Sequence, residues 1–139
     1  FGPMQTAEDS RAAAQFARNA KNKQPIVLKS AGEQKRSYIY ATDCASALLK
    51  IILSGNQGEA YNVASRECPI SIRQLAELFA AYANVPVEFS APTDEEKKAF
   101  NPMNHSAVDG TKLSMLGWKP SKTVDKAVAT TIELFDLFL

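Results

Sequence analysis

The sequence has few of the residues on which metal, disulfide or acid–base chemistry is usually built. Cysteine occurs only at Cys44 and Cys68, without CxxC spacing or a neighbouring histidine. That argues against a structural zinc site and a disulfide framework, and leaves a reduced, cytoplasmic thiol pair as the expectation. The single histidine is His105, and no GxSxG, HExxH, P-loop or GxxGxxG pattern is present. His105 with Asp109 is a conceivable acid–base pair, but a lone loop histidine is more often simply solvated, and neither thiol has an identified base. Excess charge of one sign is also missing: 16 Lys and Arg against 15 Asp and Glu give a net charge of +1. This removes the global electrostatic case for a nucleic-acid or membrane partner. The longest apolar run, 45–53, is interrupted by Ser46 and Lys50 and is too short to cross a bilayer. No leader-like segment follows Phe1, and an initial residue other than Met leads us to expect a chain cut from a longer one.

What is present is enough for the core of one domain: 45% of the 139 residues are hydrophobic and 9% aromatic. Ala12, Ala13, Phe16, Ala17 and Ala20 predict a helix over 6–22, capped by Thr6 or Asp9 and stopped by Pro25. Strands are expected at 26–28, 36–40, 60–63 and 86–89. A helix capped by Thr42 or Asp43 should bury most of Leu48, Leu49, Ile51, Ile52 and Leu53 and stop at Gly55. Ser71 and Gln74 have capping-box spacing ahead of Ile72, Leu75, Ala76, Phe79 and Tyr82, which share one helical face up to Ala83. A polar loop is expected over 92–105 and a short helical turn over 111–116, ended by Gly117. A final helix from Thr123 carries Val124, Ala127, Val128, Thr131, Ile132 and Phe135 on one stripe. Helices alternating with short strands imply an α/β arrangement, without internal repeats or a low-complexity spacer.

The loop 29–36 admits two readings. Gly32 permits close backbone approach and Lys35 and Arg36 bring positive charge, which suits a phosphate. An ordinary turn with solvated basic residues is the alternative.

Five segments in order carry a resemblance: Phe1-Gly2-Pro3-Met4; Arg36-Ser37-Tyr38-Ile39-Tyr40-Ala41-Thr42-Asp43; Gly58-Glu59-Ala60-Tyr61-Asn62-Val63; Asp109-Gly110-Thr111-Lys112-Leu113; and Leu116-Gly117-Trp118-Lys119-Pro120. Together they resemble the C-terminal, substrate-binding part of the NAD-dependent epimerase/dehydratase family, the extended short-chain dehydrogenases that modify nucleotide sugars. The family reads YGP, R-x-(F/Y)-x-(Y/H)-V-x-D, G-x-x-Y-N-(V/I)-(G/A), D-x-x-K and L-G-W-x-P in the same order, and the resemblance covers essentially the whole chain.

The resemblance implies that 1–139 is a single C-terminal segment, a small substrate domain of helices and short strands. The Rossmann half of the family, with NAD or NADP and a catalytic Tyr-x-x-x-Lys, has no counterpart in these residues, so this chain alone is expected to be catalytically incompetent and to need no cofactor of its own. By matching position, Arg36 contacts the pyrophosphate of a nucleotide-diphosphate sugar, Val27, Leu28 and Lys29 flank the base, and Asn62 approaches the nucleotide. A guanidinium suits pyrophosphate because its planar fork reaches two oxygens in fixed geometry. Where many relatives carry a second phosphate-binding arginine, this sequence has Asn104-His105-Ser106, so either His105 substitutes or the loop is remodelled. Asp43 is expected to cap its own helix, and Trp118 and Pro120 to pack and turn. No metal site is expected, the cofactor-binding residues are not legible, and the intact protein is expected to be a homodimer. The competing reading is a non-catalytic binding or interaction module that retains this architecture.

Overall fold

Helices α1 (Ala12–Lys21), α3 (Ile72–Ala83) and α6 (Val124–Leu134) pack together over a parallel pair formed by β1 (Ile26–Leu28) and β4 (Val87–Phe89). A second sheet has the order β3 (Pro69–Ser71), β2 (Lys35–Ser37), β5 (His105–Ser106), with β2 antiparallel to β3 and parallel to β5. Completing the chain are α2 (Ala41–Ser54), α4 (Asp94–Ala99) and α5 (Thr111–Met115). This computed structural model describes residues 1–6, 8–65, 69–99, 103 and 105–135, so Cys68 and Asn104 lie outside the described residues.

The main core follows the helical periodicity. Leu75, Ala76 and Phe79 on α3 are wholly buried and meet Phe16 and Ala17 of α1, Ile26 of β1 and Val128 of α6. The Phe16 and Phe79 ring centroids are 6.4 Å apart, and Phe1 stands edge-on to Tyr38, Tyr40 and Phe79. Each large side chain removed from water here contributes about 1.5–3 kcal/mol. A smaller core joins Ala47 of α2, Leu113 of α5 and Trp118, with Ile39, Ile51 and Tyr61 at its edge.

The capping box is present: Gln74 N–H donates to Ser71 Oγ and Ser71 N–H to Gln74 Oε1. The two donors between them are also satisfied, Ile72 N–H by Gln34 O and Arg73 N–H by Gly32 O. The loop 29–35 is thereby seated on the start of α3. Gly32, at φ +69°, is needed there because a Cβ would lie 2.9 Å from Arg73 N. Its close approach is to the protein's own helix.

Several expectations change. Helix α1 begins at Ala12 rather than near 6, because the Asp9 carboxylate accepts from Arg11 N–H and its guanidinium instead of capping. The ladder of β2 covers 35–37 rather than 36–40, since Tyr38 and Tyr40 are drawn into the cluster around Phe1. Residues 60–63 form no ladder, and β3 takes the place beside β2. The expected loop 92–105 contains α4, braced by Lys97 on Asp94, and the first residue of β5.

Two corrections concern α2. Its N-cap is Tyr40, and Asp43 caps nothing on its own helix: the buried carboxylate accepts from Ser121 N–H, Ser121 Oγ and Lys122 N–H, fixing the segment that leads into α6. The apolar run is not mostly buried either. Leu48, Leu49, Ile52 and Leu53 are 52%, 61%, 78% and 81% exposed, because only the side bearing Asp43 and Ala47 meets the rest of the described chain.

Candidate functional site

Arg36 occupies the middle of the central strand of the three-stranded sheet, opposite Ile70 on one side and Ser106 on the other. Its guanidinium is fixed by two main-chain carbonyls: Nη1 donates to Lys35 O at 2.9 Å and Nη2 to Met103 O at 2.8 Å. Each terminal nitrogen carries a second N–H, so the group is oriented yet retains donors for an anion. Ser37 Oγ accepts from Val108 N–H and ties the same strand to the chain after β5.

His105 is brought close to this strand but out of step. It pairs with Lys35, while Ser106 pairs with Arg36, and the two-residue repeat of a strand places the Cβ atoms of His105 and Arg36 on opposite faces. The register thus groups His105 with Lys35.

The three residues expected at the base divide in the same way. Leu28 is 3% exposed and belongs to the main core, whereas Val27 and Lys29 are half-buried on either side of it. A strand with one face on α1 and α3 can offer only the alternate positions to a ligand. Asn62 lies elsewhere, in the segment that faces α5. Its Nδ2 donates to Asp109 O at 3.0 Å, while Lys112 reaches Ala60 O and forms an ion pair with Glu59 at 2.7 Å. Lys112 also stands 4.7 Å from the centroid of the Tyr61 ring. The Tyr-Asn and Asp-x-x-Lys segments are therefore partners of one another, and the Lys112 hydrogen bond holds the Glu59 carboxyl below its ordinary range.

Arg73 belongs to none of the five motifs. Its guanidinium lies 5.6 Å from the centroid of the Phe89 ring and pairs with Glu77, while its main chain holds Gly32 at the loop that leads to Arg36. No periodicity or spacing marks it, since Phe89 is remote in sequence and joins only through the pairing of β1 with β4. Lys29, Lys35 and Arg36 flank the loop around Gly32 in sequence, and Arg73 N–H is hydrogen-bonded to Gly32 O.

With all four leading N–H groups of α3 satisfied by the protein, that helix start offers no phosphate cradle. Burial pushes the Tyr38 and Tyr40 phenols up, away from the range of a base at neutral pH. Among the described residues no group of three or more His, Cys, Asp or Glu side chains is placed to hold a metal, and no helix is long and apolar enough to cross a membrane. A cavity of about 180 Å³ is lined by Phe1, Gly2, Met4, Gln5, Arg11 and Ala41, and by none of Val27, Leu28, Lys29, Arg36, Asn62 or His105.

Comparison with known proteins agrees with the motif order. Residues 1–64 match the NAD dependent epimerase/dehydratase family. Over 138 residues the chain is 25% identical to dTDP-D-glucose 4,6-dehydratase of Mus musculus, covering 97% of this chain and 38% of that protein. It superposes on the solved structure of UDP-glucose 4-epimerase from Thermotoga maritima with UDP-glucose, with a TM-score of 0.81 at 22% identity, over 99% of this chain and 43% of that one. The dTDP-glucose 4,6-dehydratase of Bacillus anthracis, in complex with NAD, gives 0.78 at 19% identity over 99% and 42%. The fold is that of an α/β segment of these extended short-chain dehydrogenases, and the chain spans about two fifths of the length of the relatives it matches.

Proposed function

We propose that this segment of the NAD dependent epimerase/dehydratase family forms the nucleotide-sugar side of the cleft in an NAD- or NADP-dependent epimerase or dehydratase. The observation that carries this reading is the Arg36 guanidinium, anchored by Lys35 O and Met103 O and still able to donate to two phosphate oxygens. Val27 and Lys29 flank the base from the open side of β1, and Leu28 supports them from the core. Asn62 keeps the adjoining wall in place through Asp109. His105 sits with Lys35 and does not replace a second arginine at the same anion.

In such a protein the cofactor supplies reversible hydride acceptance at the sugar. The 139 residues contain no Tyr-x-x-x-Lys. Their part is to bind and orient the diphosphate and base, and thereby the sugar, as fixed positioning groups.

Titration of the chain with UDP and dTDP, with uridine and thymidine as controls, tests the assignment. Binding of the diphosphates but not the nucleosides supports a site built around the pyrophosphate. Equal binding of both classes, or of neither, contradicts it and favours the non-catalytic module.

A further inference from the structure

A buried polar atom close to Arg36 is left without a partner. Gln34 Oε1 is shielded from water and accepts no hydrogen bond from the described residues. Such an atom is costly, because it has lost its hydration without gaining a donor. The backbone that carries it is held in place. Gln34 O accepts from Ile72 N–H, which extends the pairing of Lys35 with Ser71 by one residue in the same register. The two-residue repeat of a strand then puts Gln34 on the side of Arg36, with Lys35 on the other. Two strand residues span about 6.6 Å. Ile70 and Ile72, opposite Arg36 and Gln34 in this register, belong to the margin of the main core. The free acceptor therefore stands at an apolar border, where a hydrogen bond is stronger than in water.

We propose that Gln34 reads the ribose of the bound nucleotide, its Oε1 accepting from a sugar hydroxyl. The proposal rests on the preceding reading of Arg36 and β1 and deepens it. With the base against Val27 and Lys29 and the diphosphate on Arg36, Gln34 falls between the two along the chain, as the ribose falls between them in the ligand. The chemistry selects the same group. A carbonyl oxygen needs a donor, and an ionised diphosphate offers only acceptors, so the anion that Arg36 binds cannot satisfy Gln34. The N–H groups of the base lie beyond the ribose, on the side of β1. The ribose hydroxyls are the donors within one strand step of the anion, and the contact favours nucleotides that carry the hydroxyl it uses.

The test is calorimetric titration of the chain and of Gln34→Met with UDP, 2′-deoxy-UDP and 3′-deoxy-UDP. Methionine keeps the length of the side chain and removes the acceptor. The unsubstituted chain should bind one of the deoxy nucleotides about three- to tenfold more weakly than UDP, and Gln34→Met should bind all three alike. Without ligand, Gln34→Met should melt at the same temperature as the unsubstituted chain or higher, because a buried atom without a partner has been removed.

Equal affinities of the unsubstituted chain for the three nucleotides, or a difference that survives in Gln34→Met, overturn the ribose contact, while binding of UDP itself keeps the diphosphate site. A lower melting temperature of ligand-free Gln34→Met assigns the amide to the fold and also overturns the contact. Failure of the unsubstituted chain to bind UDP at all removes the reading of Arg36 and this contact with it.

Discussion

The carboxylate of Asp43 accepts hydrogen bonds from the Ser121 hydroxyl at 2.6 Å and the Ser121 N–H at 2.9 Å, 78 residues further along the chain. Lys122 N–H adds a third at 3.2 Å, so one buried side chain on α2 fixes the turn that launches α6. Replacing it by alanine strands buried donors. Asp43→Ala should therefore destabilise the chain by roughly 2–4 kcal/mol, well above the loss of a helix cap at about 1 kcal/mol. Urea denaturation measures this, and a loss no larger than that of a cap would make the long-range contact unimportant.

Glycines 110 and 117 separate two causes of glycine choice. A Cβ at Gly110 would fall 1.9 Å from Ala64 O, whereas Gly117 has open space around it and a φ of +84°. Gly117→Ala should cost about 1 kcal/mol through backbone strain alone. Gly110→Ala should cost more, at least about 2 kcal/mol, by pushing α5 off the 60–64 segment. Thermal unfolding of both variants gives the order directly, and a reversed order would contradict the packing described for α5.

Much of this was legible in the residues. The periodicity of 72–83 with its Ser71 and Gln74 box marks α3, and the order of the five motifs points to the family. What stayed hidden depends on contacts distant in sequence. Asp43 has the spacing of a cap, and only the fold shows Ser121 beside it. Tyr38 and Tyr40 have strand propensity, but aromatic packing against Phe1 outweighs it. The burial expected of Leu48 to Leu53 assumed that hydrophobic residues on a helix always find a partner within the same 139 residues. For the site, Arg36 could be read from its motif, but the face on which His105 falls could not, because a shift of one residue in strand register reverses it.

Asn62→Ala offers a way to tell positioning from contact. With its amide donating to Asp109 O, the substitution should lower stability by about 1 kcal/mol and leave the affinity for UDP or dTDP within about twofold. Denaturation and calorimetry on the same preparation check both. A tenfold loss of affinity at unchanged stability would return Asn62 to direct contact with the nucleotide.

The pair between Glu59 and Lys112 predicts a response to acid. Because Lys112 holds the Glu59 carboxyl below its ordinary value, the unfolded chain binds the proton more readily than the folded one. The contribution is complete above the unfolded carboxylate range, about pH 4.3, and is lost as pH falls through the lower folded value. Glu59→Gln should therefore lower the neutral plateau slightly while leaving stability at the acid end unchanged, so that the acid limb flattens, as urea midpoints across that range would show. An acid limb as steep as that of the unsubstituted chain would contradict the assigned pair.

The most direct measurement for the site as a whole is calorimetric titration of UDP and dTDP into the chain, compared with Arg36→Ala and Arg36→Lys. Hydrogen bonds between charged groups contribute about 1.5–3 kcal/mol each, so the alanine variant should bind at least about tenfold more weakly. Lysine should restore only part of the loss, since it keeps the charge without the planar fork held by Lys35 O and Met103 O. Affinities for the diphosphates that are the same in all three proteins would contradict the role assigned to Arg36, and with it the nucleotide-sugar cleft.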